Sequence, residues 1–170
     1  MIYYILSLLL SPFVISLFAF IILGGNLFIP FIFFFLFPSI ITLPYIKNFN
    51  VKLHLRPKLI LIISIFYLIG TLLMEDKQRF LGLCYFLNSI ISLIITRKDK
   101  ISLHMFGISG PATALFFISD KIYSILLFIL IIPTWIVRKK LHAHNNFQLL
   151  SGLLAGIFFT LFWVFIFNYY

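Results

Sequence analysis

The sequence predicts an all-α fold: a polytopic transmembrane helix bundle of about six to seven spans, forming a single integral membrane domain over residues 1–170. Three observations lead there. The chain is 63% hydrophobic and only 10% charged, whereas a water-soluble domain carries about a quarter charged residues. Its mean hydropathy is +1.17, an apolar surplus larger than one core can hide, so lipid is the solvent for most of it. The apolar residues run in long unbroken stretches, not in the roughly ten-residue alternation of a membrane β-barrel. Helices satisfy their own backbone groups in hydrocarbon and are the remaining solution.

Spans are expected near 2–23, 27–46, 58–75, 80–97, 103–119, 121–137 and 147–168. Each approaches the roughly 20 residues that cross the hydrocarbon layer. The first run starts at Met1 with no cation ahead of it, and "FIILGGN" is a poor cleavage site, so it reads as a retained span. Pro12, Pro30, Pro38, Pro44, Pro111 and Pro133 fall inside or near span ends, where membrane helices tolerate kinks. "GGN" at 24–26, "EDKQR" at 75–79 and "SDK" at 119–121 read as turns. "GLLAG" at 152–156 and "GISGPATA" at 107–114 are small-residue faces that let helix backbones approach closely. Asn88 is costly in lipid and should bond a neighbouring helix. The single Cys84 permits no intramolecular disulfide and reads as a small core or lipid-facing residue. Trp135, Tyr3, Tyr4, Tyr45, Tyr169 and Tyr170 near span ends form an interfacial belt.

A net charge of +9 in a soluble protein would suggest nucleic acid. In a membrane chain it points to basic loops against anionic lipid, so the expected partners are the bilayer and a membrane lipid, with no nucleic acid. The loops after spans two, four and six share one side. They hold Lys47, Lys52, Arg56, Lys58, Arg97, Lys98, Lys100, Arg138, Lys139 and Lys140, ten of the thirteen basic residues. All four histidines fall there too. The positive-inside rule puts these loops and the N-terminus in the cytoplasm.

The densest polar stretch is "RKKLHAHNNFQ", from Arg138 to Gln148, between two oily spans. Gly-rich nucleotide loops, His-Glu-x-x-His and Cys-His clusters do not occur. Only Asp99 supplies a carboxylate on the basic side, too little for a hard cation or for paired-carboxylate glycoside hydrolysis. No metal and no cofactor are expected. Cations and imidazoles without carboxylates can hold a phosphate and transfer it. Arg offers a planar fork to phosphate oxygens. A neutral His can attack phosphorus while a protonated His donates to the leaving oxygen, and several cations stabilise the charge that develops.

Three stretches carry a resemblance. "LRP" supplies Arg56 and Pro57 before the third span. "KISLH" supplies Ser102 and His104 before the fifth. Arg138 is followed by five residues and His144, with Gln148 and Gly152 beyond it. In order, spacing and shared side, the region of about 47–156 resembles the type-2 phosphatidic acid phosphatase (lipid phosphate phosphatase) superfamily, as a short divergent member. The resemblance implies metal-independent hydrolysis of a lipid phosphomonoester or pyrophosphate, of phosphatidate or polyprenyl diphosphate type, through a phosphohistidine. It implies His144 as nucleophile, His104 as the acid for the leaving alcohol, and Gln148 as the group orienting His144. Arg138, Arg56 and Ser102 would bind phosphate, with Lys52 as a further cation. The chain departs from the family pattern at Phe49 for Lys, Ile101 for Pro, Leu103 for Gly, and Gln148 for Asp. The last replaces a charge with a carbonyl, and analogous losses in hydrolytic triads are large. Two other classes fit the same loops: a non-catalytic phospholipid-binding descendant, and a structural membrane subunit or small transporter whose cations set topology alone.

Overall fold

A computed structural model describes residues 2–47 and 50–169. Phe49 and Tyr170, singled out above, lie outside the described residues. Helix covers all seven expected segments, and the fold is an all-α bundle. Five segments are long and apolar enough to cross a membrane: Phe28–Tyr45, Leu53–Leu72, Asp76–Thr96, Lys121–Lys140 and Asn146–Ile166. Large apolar side chains cover the outside, with Phe147, Phe28 and Phe165 each at least 70% exposed, as a lipid-facing surface requires.

The first segment is broken rather than continuous. Helices α1 (Ile2–Leu9) and α2 (Pro12–Leu23) meet at 45°. Ser11 takes an extended backbone and caps α2, its Oγ accepting from the Val14 N–H at 3.4 Å. Pro12 occupies the first helical position, where its missing N–H costs nothing.

The second span is irregular too. α3 (Phe28–Pro30) runs through a π-helical turn at Phe31–Leu36 into α4 (Phe37–Thr42) and a 3₁₀ turn at Leu43–Tyr45. Pro38 cannot donate to the Phe34 carbonyl four residues back. The Ser16 hydroxyl on α2 donates to that oxygen instead, at 3.0 Å. A minimal antiparallel ladder, Ile46–Lys47 with Asn50–Val51, leads through a 3₁₀ turn (Leu53–Leu55) to α5 (Arg56–Leu72).

α6 (Asp76–Thr96) starts inside the "EDKQR" stretch expected to be a turn. Asp76 in the first turn of a helix complements its dipole. α7 (Leu103–Ile118) is only 16 residues long but mostly buried, and packs against α2, α6, α8 and α10. α8 (Lys121–Ile129) and α9 (Ile131–Lys140) together form one span, and α10 (Asn146–Ile166) is the last.

The two small-residue faces pack on each other. A Cβ at Gly156 would meet the Ser109 hydroxyl of α7 and lie 2.9 Å from the Phe106 carbonyl, and one at Gly152 would collide with the Ser102 carbonyl. Only glycine lets α10 lie this close to α7. Asn88 bridges α6 to α10 as expected, its Nδ2 donating to Thr160 Oγ1 at 2.8 Å and its Oδ1 accepting from Trp163 Nε1 at 3.0 Å. Cys84 is buried in the core.

Candidate functional site

The Arg138-to-His144 spacing has a local structural cause. α9 ends in a Schellman turn. The His142 N–H donates to the Lys139 carbonyl at 3.0 Å and the Ala143 N–H to the Arg138 carbonyl at 3.1 Å. His142 sits at φ 50, the left-handed position usually held by glycine. This reverses the chain so that His144 folds back beside the end of α9. Asn145 then caps α10. His142 is thus a turn residue with an exposed side chain, and Asn145 is the cap of the following helix.

The capping box fixes the chemistry of His144. Asn145 Oδ1 accepts from the Gln148 N–H at 2.8 Å, and Gln148 Oε1 accepts from the Asn145 N–H at 3.3 Å. A backbone N–H can only donate, so the amide atom facing it must be the oxygen. That same Oε1 lies 3.2 Å from His144 Nδ1, which must therefore carry the proton. The tautomer is set, and Nε2 holds the lone pair.

The three motif loops are stitched by hydrogen bonds. Arg56 donates through Nη1 to the Ile101 carbonyl at 3.3 Å and through Nε to the Val51 carbonyl at 3.1 Å. The next residue, Ser102, donates its N–H to the Gln148 carbonyl at 3.1 Å. The path thus runs from Arg56 through Ile101 and Ser102 to Gln148 and the His144 ring. Arg138 donates through Nη1 to Ser7 Oγ at 3.0 Å, and His104 Nε2 donates to the Ser7 carbonyl at 3.3 Å.

Arg56, Arg138, His104 and His144 all line one cavity of about 360 Å³. Arg138 is 1% exposed, Arg56 4% and His144 7%. Burial, followed by the charges of Arg138, Arg56 and Lys100, pushes the His144 pKa down to about 3, against the opposing bond to Gln148. The ring is neutral at neutral pH, as a nucleophile must be. Among the described residues, no group of three or more His, Cys, Asp or Glu gathers to hold a metal.

Two expected residues hold other positions. Lys52 is exposed and does not line the cavity. Lys100 also lies outside the cavity lining, but its charge acts on His144, and its own pKa is lowered by burial and by Arg56 and Arg138. Lys100 opens the "KISLH" stretch, so its signal was present. Ser102 is fully buried, and its groups serve the scaffold: its Oγ caps α7 by accepting from the Met105 N–H at 3.4 Å, and its N–H is held by Gln148. Ser7 touches both Arg138 and His104, yet nothing in its apolar surroundings marks it out in the sequence.

No protein-family model matches the chain, and neither a curated protein nor a solved structure matches it.

Proposed function

We propose that this protein is a membrane lipid phosphatase that works without metal through His144. The supporting observation is the hydrogen-bonded path from Arg56 through Ile101 and Ser102 to Gln148 and the His144 ring. It brings three separate basic loops to one cavity and leaves a neutral imidazole with its Nε2 lone pair available.

In the proposed reaction, Nε2 attacks phosphorus as the bond to the lipid oxygen breaks. His104, in its imidazolium form, gives that oxygen a proton and is left neutral, and Arg56 and Arg138 hold the phosphoryl oxygens. Water then attacks the phosphohistidine, His104 takes a proton back, and the N–P bond breaks to release phosphate. The basic loops and this site are proposed to face the cytoplasm, on the strength of the charge asymmetry.

Hydrolysis of short-chain phosphatidate and polyprenyl diphosphate, in detergent with chelator present, is the direct test. Activity is expected to persist with chelator and to fall at least about a thousandfold in His144→Ala, as nucleophile losses do. His104→Ala should also fall steeply. Activity untouched by both changes would falsify the assignment.

A further inference from the structure

The cavity is much longer than a phosphate site needs. Its wall on α5 is formed by Arg56, Leu59, Ile60, Ile63 and Tyr67, one stripe at helical spacing. Along this stripe the cavity runs parallel to the helix axis for about 16 Å, eleven residues of helical rise. That is about half the hydrocarbon thickness of a bilayer, starting from its polar edge.

The far end is closed by aromatic rings. Tyr67 and Tyr85 line it, and fully buried Phe34 and Phe20 stand behind them. Phe34 stacks on Tyr67 with centroids 4.7 Å apart, and Phe20 meets Phe34 edge-on at 4.8 Å. Tyr67 and Tyr85 lie 5.7 Å apart. Such a cluster is a firm floor.

The bore between headgroup end and floor is apolar in effect. On its α6 wall Asn88, Ser89 and Ser92 are engaged within the protein, while the buried Tyr85 hydroxyl at the floor has no hydrogen-bond partner among the described residues. Asn88 bonds Thr160 and Trp163, and Ser89 donates to Ser64 Oγ at 2.7 Å. Ser92 donates to the Ser89 carbonyl at 2.9 Å. What remains above that hydroxyl suits hydrocarbon.

Two measures of capacity agree. At about 30 Å³ for a small group such as water or a methylene, a volume of about 360 Å³ holds roughly twelve of them. An extended chain advances about 1.2 Å per bond, so 16 Å takes roughly thirteen bonds. The bore is one chain wide.

We propose that the cavity is a single-chain lipid site of fixed depth, which takes a lipid phosphate with one hydrocarbon chain of about twelve carbons. The headgroup lies among Arg56, Arg138 and His144, and the chain ends on Tyr67 and Tyr85. This rests on the phosphate reading of the polar end, and it selects a single-chain alkyl, acyl or short prenyl phosphate over a two-chain phosphatidate.

The test separates the chain site from the chemistry. n-Alkyl phosphonates, which are not hydrolysed, are titrated into the protein in nanodiscs, from about eight to about eighteen carbons. Thermal stabilisation is read relative to partition into empty nanodiscs. Affinity is expected to peak near twelve carbons and to fall about tenfold or more by eighteen. Tyr85→Ala deepens the bore and should move the peak to longer chains. Ser89→Leu, about 6 Å above the floor by helical rise, should move it to shorter ones. A peak near twelve carbons with no hydrolysis of the matching phosphate keeps the chain site and overturns the enzyme. Binding with no length optimum, or two-chain phosphatidate binding as well as the dodecyl compound, overturns the single-chain site whether or not the protein is a phosphatase. No binding at any length overturns it as well.

Discussion

At the scale of single residues, the decisive group is Gln148. The superfamily that the loops resemble has Asp at this place, but an Asp side chain is one methylene shorter and would give up the reach that joins the Asn145 N–H to His144 Nδ1. Glu preserves that reach and adds charge. Gln148→Glu is expected to keep the capping box, raise the His144 pKa and increase hydrolysis by about tenfold or more, since one pKa unit is 1.36 kcal/mol of differential interaction. Histidine NMR titration and initial rates check both parts; a variant with unchanged pKa and rate would overturn this role for position 148. The wild-type ring also sets a pH dependence of stability. Its folded pKa of about 3 lies below the ordinary 6.5, so the unfolded chain binds the extra proton first. The contribution is intact above about pH 6.5 and is lost as pH falls towards 3. Thermal unfolding at pH 7 and pH 4.5 should show this acid loss, and His144→Gln should lessen it.

At the scale of elements, the contact between α7 and α10 positions the site. Gly152 faces the carbonyl of Ser102, the residue whose N–H binds Gln148. Gly152→Ala therefore pushes the two helices apart where the motif loops are joined. It is expected to destabilise by about 1–3 kcal/mol, the usual cost of overpacking. It should also lower activity more than a clash of similar size further along, such as one at Gly156. Equal losses at the two glycines would mean that the contact is structural alone. The seven segments were legible because lipid-spanning helices advertise themselves as long apolar runs. The break at Ser11–Pro12 had its Pro in view, but a proline in an apolar run marks a kink or a helix start equally well. The π-helical turn was illegible, because it depends on Ser16 reaching the Phe34 carbonyl from another helix.

At the scale of the whole molecule, Arg56, Arg138, His104 and His144 were readable because their spacings reflect local turns and loop order. Lys52 was the natural choice beside "LRP", but proximity in sequence gave the wrong loop, and Lys100 arrives from the next one. Ser7 could not be read, because its partner Arg138 lies 131 residues away. The proposed orientation concerns the whole molecule as well. Lys139 is exposed and the single native Cys84 is buried, so Lys139→Cys gives a clean label. An impermeant thiol reagent is expected to miss it in intact cells and to modify it after permeabilisation. Labelling from outside would reverse the orientation.

The bond between Ser7 and Arg138 also bears on how the protein is made. Ser7 leaves the ribosome 131 residues ahead of Arg138. The Arg138 and His144 side of the cavity waits for the α9–α10 hairpin, and contacts so distant in sequence form late. Until then Ser7 on α1 lacks its bond to Arg138. The polar end of the cavity thus takes shape only once α9 and α10 have joined the bundle.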